Sequence, residues 1–333
     1  MSRLLSAIAS LTLSLILAFP VTAACAGRNL FDTMEPARLA EIRAAAAAVP
    51  FASGNFWRAT RGDEVITLAG TYHFDDPRHA ANIAALTPYI TAASTVLVEA
   101  GPEEEAALMR KIADDPSAMV ITQGPTLNQR LPPEVWAPLK DALSARGIPA
   151  FMAAKFQPWY VLTLLSIPPC AMTSMAEQPK GLDGAVIDTA LAAGIPVRGL
   201  EPFDTLFGIF DAMTPEELTE MLISTLAIED MSEDYFTTLV DSYFAGESRL
   251  AWELMRFAAY DMPGYTRARI DADFARMEDL VASRRNRAWI PVLTEASAKG
   301  PVFSAFGALH LSGEDGVLNL LKKEGFTVEE LPL

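Results

Sequence analysis

The sequence predicts an α/β fold: a mainly parallel sheet flanked by helices, with a long helical insertion at about 206–298. Three observations carry this. Short apolar runs alternate with helix-patterned segments from residue 54 onward, the order that builds α/β layers. Several of these runs end in glycine or a carboxylate, marking strand exits. Residues 206–298 read as helical almost throughout, and the α/β pattern then returns at the C-terminal end.

The elements follow in order. "GNFWRAT", the turn Arg61-Gly62-Asp63 and "EVITLAG" read as strand, turn, strand. Helix-like "AANIAALTPYITAA" precedes the strand "TVLVEAG". Pro102 opens a helix whose first turn holds Glu103, Glu104 and Glu105, where carboxylates favour the helix dipole. "PPEVWAPLKDALSARG" is a helix stopped by Gly147, followed by the strand-like "IPAFMAA". "WYVLTLLSI" is too short to cross a membrane and reads as a buried helix ended by Pro168-Pro169. Over 182–205 a helix, a Gly194 stop and the strand "PVRGLE" recur. Thr214 and Glu217 form a capping-box start. The tail gives a strand at 301–306, a helix at 314–323 and a last strand "FTVEEL".

The first 24 residues read as a secretory signal rather than part of the fold. Arg3 precedes the apolar "LLSAIASLTLSLILAF", and "PVTAACAG" supplies small residues for cleavage. The expected protein is therefore exported, periplasmic or secreted, as a single α/β domain over 25–333. No later run is long enough for a membrane span, so no transmembrane segment is expected in the mature chain. The two cysteines, Cys25 and Cys170, form an even pair that suggests one disulfide in an oxidising compartment. Two other fates stay open: a lipid anchor at Cys25, or cleavage after Ala26 that leaves Cys170 free.

With 51% apolar residues the chain can build a sizeable core. A formal charge of −16 argues against a nucleic-acid partner, which needs basic patches to neutralise phosphates. Oligomeric state is not legible.

The chemistry-bearing residues gather at strand exits, where open α/β sheets collect ligands. His73 follows "VITLAG", Glu99 closes "TVLVE", Glu201 closes "PVRGLE" and His310 follows "VFSAFG". Gly70 and Gly307 are read as letting the backbone turn before each histidine. One Gly-x-x-His says little, because most lone histidines are satisfied core or surface residues. Two copies, using two of only three histidines, point to a site. Two imidazoles and a carboxylate suit a divalent transition metal with an open position, Zn, Mn or Co. Glu99 is then a ligand or general base, or merely the polar end of its strand. His79 and Asp75 read as surface residues, as does Asp76, although an aspartate there can reach a metal. "RRNRAW" is either a solvated helix face or a source of Arg and Asn groups that orient substrate. No His-Glu-x-x-His helix and no Gly-x-Ser-x-Gly elbow is present.

"GTYHFDDPR", "LVEAGP", "GLDGAVIDTALAAGIPVRGLEPFDT", "RNRAWIPVL" and "FGALHLSGEDGVLNLLKKEGFTVEEL" together resemble the TraB/GumN family. That family is related to the Tiki metalloproteases and to the wider erythromycin-esterase/ChaN-like group. The resemblance spans nearly the whole mature chain. It implies an erythromycin-esterase/ChaN-like sheet, and a metal-dependent peptidase with His73, His310 and Glu99 as metal site. It implies further that Arg285 and Asn286 are catalytic, holding substrate or a developing oxyanion. Glu201 and Asp76 remain additional candidates from their own positions in the sequence. Many relatives carry glutamine where this chain has Glu201. The expected function is a metal-dependent hydrolase acting on a peptide or protein. The alternative is a non-catalytic protein that binds a peptide, a glycan precursor or haem on the same scaffold.

Overall fold

A computed structural model of the chain describes residues 25–172 and 181–332. The expected signal segment lies outside the described residues.

The strands are β1 (Phe56–Arg61), β2 (Glu64–Thr71), β3 (Thr95–Val98), β4 (Val197–Gly199), β5 (Val302–Gly307) and β6 (Thr327–Glu330). They form one six-stranded sheet in the order β4-β3-β5-β2-β1-β6. The four strands β4, β3, β5 and β2 run parallel, while β1 pairs antiparallel with both β2 and β6. The fold is therefore the expected α/β class with a mainly parallel sheet.

Two helical layers bury the faces of this sheet. Leu68, Leu97 and Phe306 point to one face, against Trp289, Ile290 and Leu293 of helix Arg284–Ser297 and Leu318 and Leu321 of helix Val317–Lys323. Ala69, Val96, Val98, Phe303 and Ala305 point to the other. There they meet Leu86 and Ile90 of helix His79–Thr91 and Leu182, Val186 and Ala190 of helix Leu182–Ala192. The strands thus alternate sides residue by residue yet are apolar on both, as a sheet covered by helices requires. Leu68, Leu97 and Leu293 are fully buried, and truncating any of them is expected to cost about 2–5 kcal/mol.

The stretch after β4 is helical, from Thr205–Asp211 through Pro215–Ala227, Ser232–Phe244, Ser248–Ala259 and Arg267–Glu278. Thr214 and Glu217 close the anticipated capping box. The π-helical turn Asp279–Ser283 then leads into Arg284–Ser297. Helix Ser232–Phe244 reaches the end of β2, where the Tyr243 hydroxyl donates to the Gly70 carbonyl at 3.1 Å.

Cys25 and Cys170 form a disulfide that closes a separation of 145 residues. It ties the N-terminal segment to the turn after helix Pro158–Leu165, and the amides of Arg28 and Leu30 dock onto Asp234 and Thr238.

Some local expectations fail. "IPAFMAA" is not a strand: Ala150–Ala153 is a helical turn preceded by Pro149, and three of its four residues, Ala150, Met152 and Ala153, favour helix. His79 is not a surface residue. It begins a helix with 5% exposure and packs among Tyr72, Tyr243 and Phe244.

Candidate functional site

Because β4, β3, β5 and β2 are parallel neighbours, their C-terminal ends lie along one edge of the sheet. Across that edge, the residues just beyond the strands are Glu201, Glu99, His310 and His73. Parallel pairing turns four residues scattered through the sequence into adjacent groups.

His310 follows β5 on a short 3-10 turn, Ala308–His310, and is buried. Its ring lies 4.4 Å from that of Trp289. The Asn286 amide nitrogen donates to the carbonyls of Asp315 at 2.9 Å and His310 at 3.3 Å. The Asn286 Oδ1 is therefore an acceptor, and it takes the proton of His310 Nδ1 at 2.6 Å. That fixes the tautomer and leaves the lone pair of Nε2 facing the site. Burial pushes the imidazole well below its usual range, to about 4, despite the Glu99 charge, so His310 is neutral.

His73 is built differently. Its Nδ1 pairs with Asp183 Oδ1 at 3.1 Å, again leaving Nε2 as the inward nitrogen. The Asp183 hydrogen bond holds the protonated form well above the ordinary range, to about 9. The side chain is 59% exposed, so solvent screens part of that pairing. Asp183 stands in the first turn of helix Leu182–Ala192. The helix reaches the His73 loop because Gly181 has no side chain: a Cβ there would fall 2.3 Å from the Tyr72 carbonyl oxygen. Sequence patterns do not single out Asp183; the one available signal is a lone carboxylate opening an apolar helix.

Glu99 follows β3 and stands next to His310 along the edge. Its Oε1 accepts the Gly307 amide at 2.6 Å and lies 3.8 Å from His310 Nε2. Burial alone would raise this carboxyl, but the charges of Arg285 and His73 together with the Gly307 amide hold it well below the usual range. It is an ionised acceptor and a weak base.

Gly307 shows why the motif carries glycine. Its φ of −50° is open to any residue, and Gly70 is not among the residues with positive φ. The expectation that these glycines serve a tight turn is thus corrected. At Gly307 an added Cβ would sit 3.2 Å from Glu99 Oε1, 3.6 Å from His73 Nε2 and 3.7 Å from His310 Cδ2. The missing side chain leaves a small space that all three groups border. At Gly70 the constraint is packing: a Cβ would lie 2.6 Å from Leu311 Cδ1 and 3.0 Å from the Ala308 Cα.

Arg285 crosses this cluster. Its Nε and Nη2 grip Glu201 at 2.9 and 2.6 Å, and Nη2 also donates to Glu99 Oε2 at 2.6 Å. Its Nη1 donates to the Val281 carbonyl in the π-helical turn and lies 3.2 Å from His310 Nε2. Trp289 Nε1 donates to the remaining face of Glu201 at 3.0 Å. Asp76 is not brought to this group. Both of its oxygens accept from Arg78. Asp75 is exposed, as expected.

The family model for TraB/PrgY/gumN proteins matches residues 55–330, a span that contains every residue of this edge. The chain belongs to the TraB/PrgY/gumN family. No curated relative matches it.

The donor chemistry of this family domain fits a divalent ion. Two neutral-capable imidazole nitrogens and an ionised carboxylate border one space, and each histidine is oriented through its other nitrogen, as metal-ligating histidines are. Even so, among the described residues no three His, Cys, Asp or Glu side chains form a ready-made metal cage. The Arg285 guanidinium, with its own positive charge, stands among the donors.

Proposed function

We propose that the protein is an exported metal-dependent hydrolase acting on peptide bonds. One observation carries this reading: the bare Gly307 Cα borders a space shared by Glu99 Oε1, His73 Nε2 and the His310 ring. In this reading His73, His310 and Glu99 hold a divalent ion such as Zn, Mn or Co. When bound, that ion supplies Lewis-acid polarisation of a scissile carbonyl. Glu99 acts as a ligand rather than a general base, since a carboxylate held so far below neutrality accepts protons poorly. Asn286 fixes the His310 tautomer, and Asp183 does the same for His73. With its oxygen and its nitrogen engaged inside the protein, Asn286 works through His310 rather than on substrate. Glu201 anchors Arg285. The exposed side of His73 is the open flank by which a substrate approaches. Export is supported by the Cys25–Cys170 disulfide together with the signal-like N-terminus.

The test pairs metal content with turnover. The purified mature chain and a His73→Ala/His310→Ala double variant are reloaded with each ion, measured by mass spectrometry and offered a peptide library. The expected result is about one ion per wild-type chain, with metal and cleavage both lost in the variant. Metal bound without cleavage by the wild type would favour the binding-protein alternative. Equal metal content in both proteins would refute the site.

A further inference from the structure

Arg285 sits oddly for a residue beside a cation site. Resting on the metal-dependent reading above, we infer that Arg285 is an internal counter-cation: it holds Glu99 and His310 when no metal is bound and withdraws onto Glu201 when a divalent ion arrives.

The geometry divides its contacts into two sets. Toward the rear, Glu201 receives Nε at 2.9 Å and Nη2 at 2.6 Å, a two-pronged pairing that is the strongest form a guanidinium makes with a carboxylate. Glu201 is itself fixed by Trp289 Nε1, and Val281 offers a carbonyl to Nη1 at 2.9 Å. Toward the front, Arg285 makes one bond to Glu99 Oε2 and one contact to His310 Nε2. These front partners are two of the three groups proposed to hold the ion. The nitrogen it faces is the one left with a lone pair by the Asn286 bond to Nδ1.

The front contacts can therefore be given up while the rear ones persist. Glu99 keeps the Gly307 amide throughout, so it stays in place as one cation replaces another. Charge is consistent with this exchange. Glu99, Glu201 and Asp183 carry three formal negative charges against the single charge of Arg285, counted with both imidazoles neutral as metal ligands must be. The excess of two is what a divalent ion supplies. Arg285 is also shielded from solvent, which preserves the strength of its pairings. Its side chain is 15% exposed and lies over the Trp289 ring at 5.1 Å.

The counter-cation makes an unusual prediction, since removing a residue of the site should tighten metal binding. Co²⁺ affinity is measured calorimetrically at one neutral pH for the wild type, Arg285→Ala, Arg285→Lys and Glu201→Gln. Thermal unfolding is recorded with and without Co²⁺. Arg285→Ala should bind Co²⁺ at least about tenfold more tightly, because two charge-assisted contacts no longer compete. Arg285→Lys keeps the charge but loses the fork that spans Glu99 and His310, so it should also bind more tightly than the wild type. A purely Coulombic role would leave it unchanged. Glu201→Gln removes the rear anchor and should weaken binding. Arg285→Ala should be less stable than the wild type without metal and recover more on adding Co²⁺. Should Arg285→Ala not fold, Arg285→Lys and Glu201→Gln still give opposite expected signs. If the wild type binds Co²⁺ and neither Arg285 variant binds it more tightly, the counter-cation role is wrong and the metal site stands. If no form binds Co²⁺, the metal reading falls and takes this inference with it.

Discussion

His73 and His310 occupy the same place in the same Gly-x-x-His motif, at the ends of adjacent parallel strands, yet their surroundings are opposite. His310 is 7% exposed at its side chain, packed at a tilt against the Trp289 ring and held by a neutral amide. His73 is 59% exposed and held by a carboxylate. One imidazole is kept neutral by burial, and the other is drawn toward its charged form by Asp183. Both nonetheless turn Nε2 inward. A repeated motif fixes where a histidine stands; the helix packed behind it decides protonation and how much of the fold depends on it.

Alanine at each position separates the two roles. His310→Ala should cost about 2–4 kcal/mol in chemical denaturation, because it empties a buried site and strands the Asn286 oxygen. His73→Ala should cost less than about 0.5 kcal/mol. Each should remove metal binding. Equal stability losses would break the contrast.

The motif glycines should divide the same way. Gly70→Ala drives a methyl group against the Ala308 backbone and Leu311 and should cost about 1–3 kcal/mol. Gly307→Ala meets only the polar groups of the site, so its stability loss should be smaller while metal affinity collapses. Metal titration and urea unfolding of both variants distinguish the cases.

The proton behaviour of the two rings supplies a finer test. By NMR, Asp183→Asn should bring the His73 pKa down from about 9 toward the ordinary value, while His310 stays low. Since the folded His73 pKa is raised, its stabilising contribution is full below the unfolded imidazole pKa and is lost as pH rises through about 9. Screening at this exposed ring keeps the contribution below about 1 kcal/mol. His310 has the opposite sign. Its folded pKa is depressed, so the protein loses stability as pH falls from the unfolded value toward about 4.

The strand exits are legible in the sequence because hydrophobic runs end visibly, and parallel order then makes neighbours of His73, Glu99, Glu201 and His310. What surrounds those groups is not legible. Asp183 and Trp289 reach the site only through helix packing, and Gly181 matters through an approach to the Tyr72 carbonyl that no local pattern announces. His79 looks like a surface residue in the sequence because its acidic, proline-containing neighbours resemble a loop, while aromatic residues that bury it come from helix Ser232–Phe244. Arg285 is visible as a candidate, but its division between Glu201 and Glu99 is a three-dimensional fact.

The most direct test is X-ray absorption at the metal edge of the Zn²⁺-reloaded protein, alongside the single histidine variants. The account predicts a first shell with two imidazoles and a carboxylate oxygen, falling to one imidazole in either His73→Ala or His310→Ala if metal is forced in at high concentration. A wild-type shell of oxygens alone, or one whose imidazole count is unchanged by both variants, would contradict it.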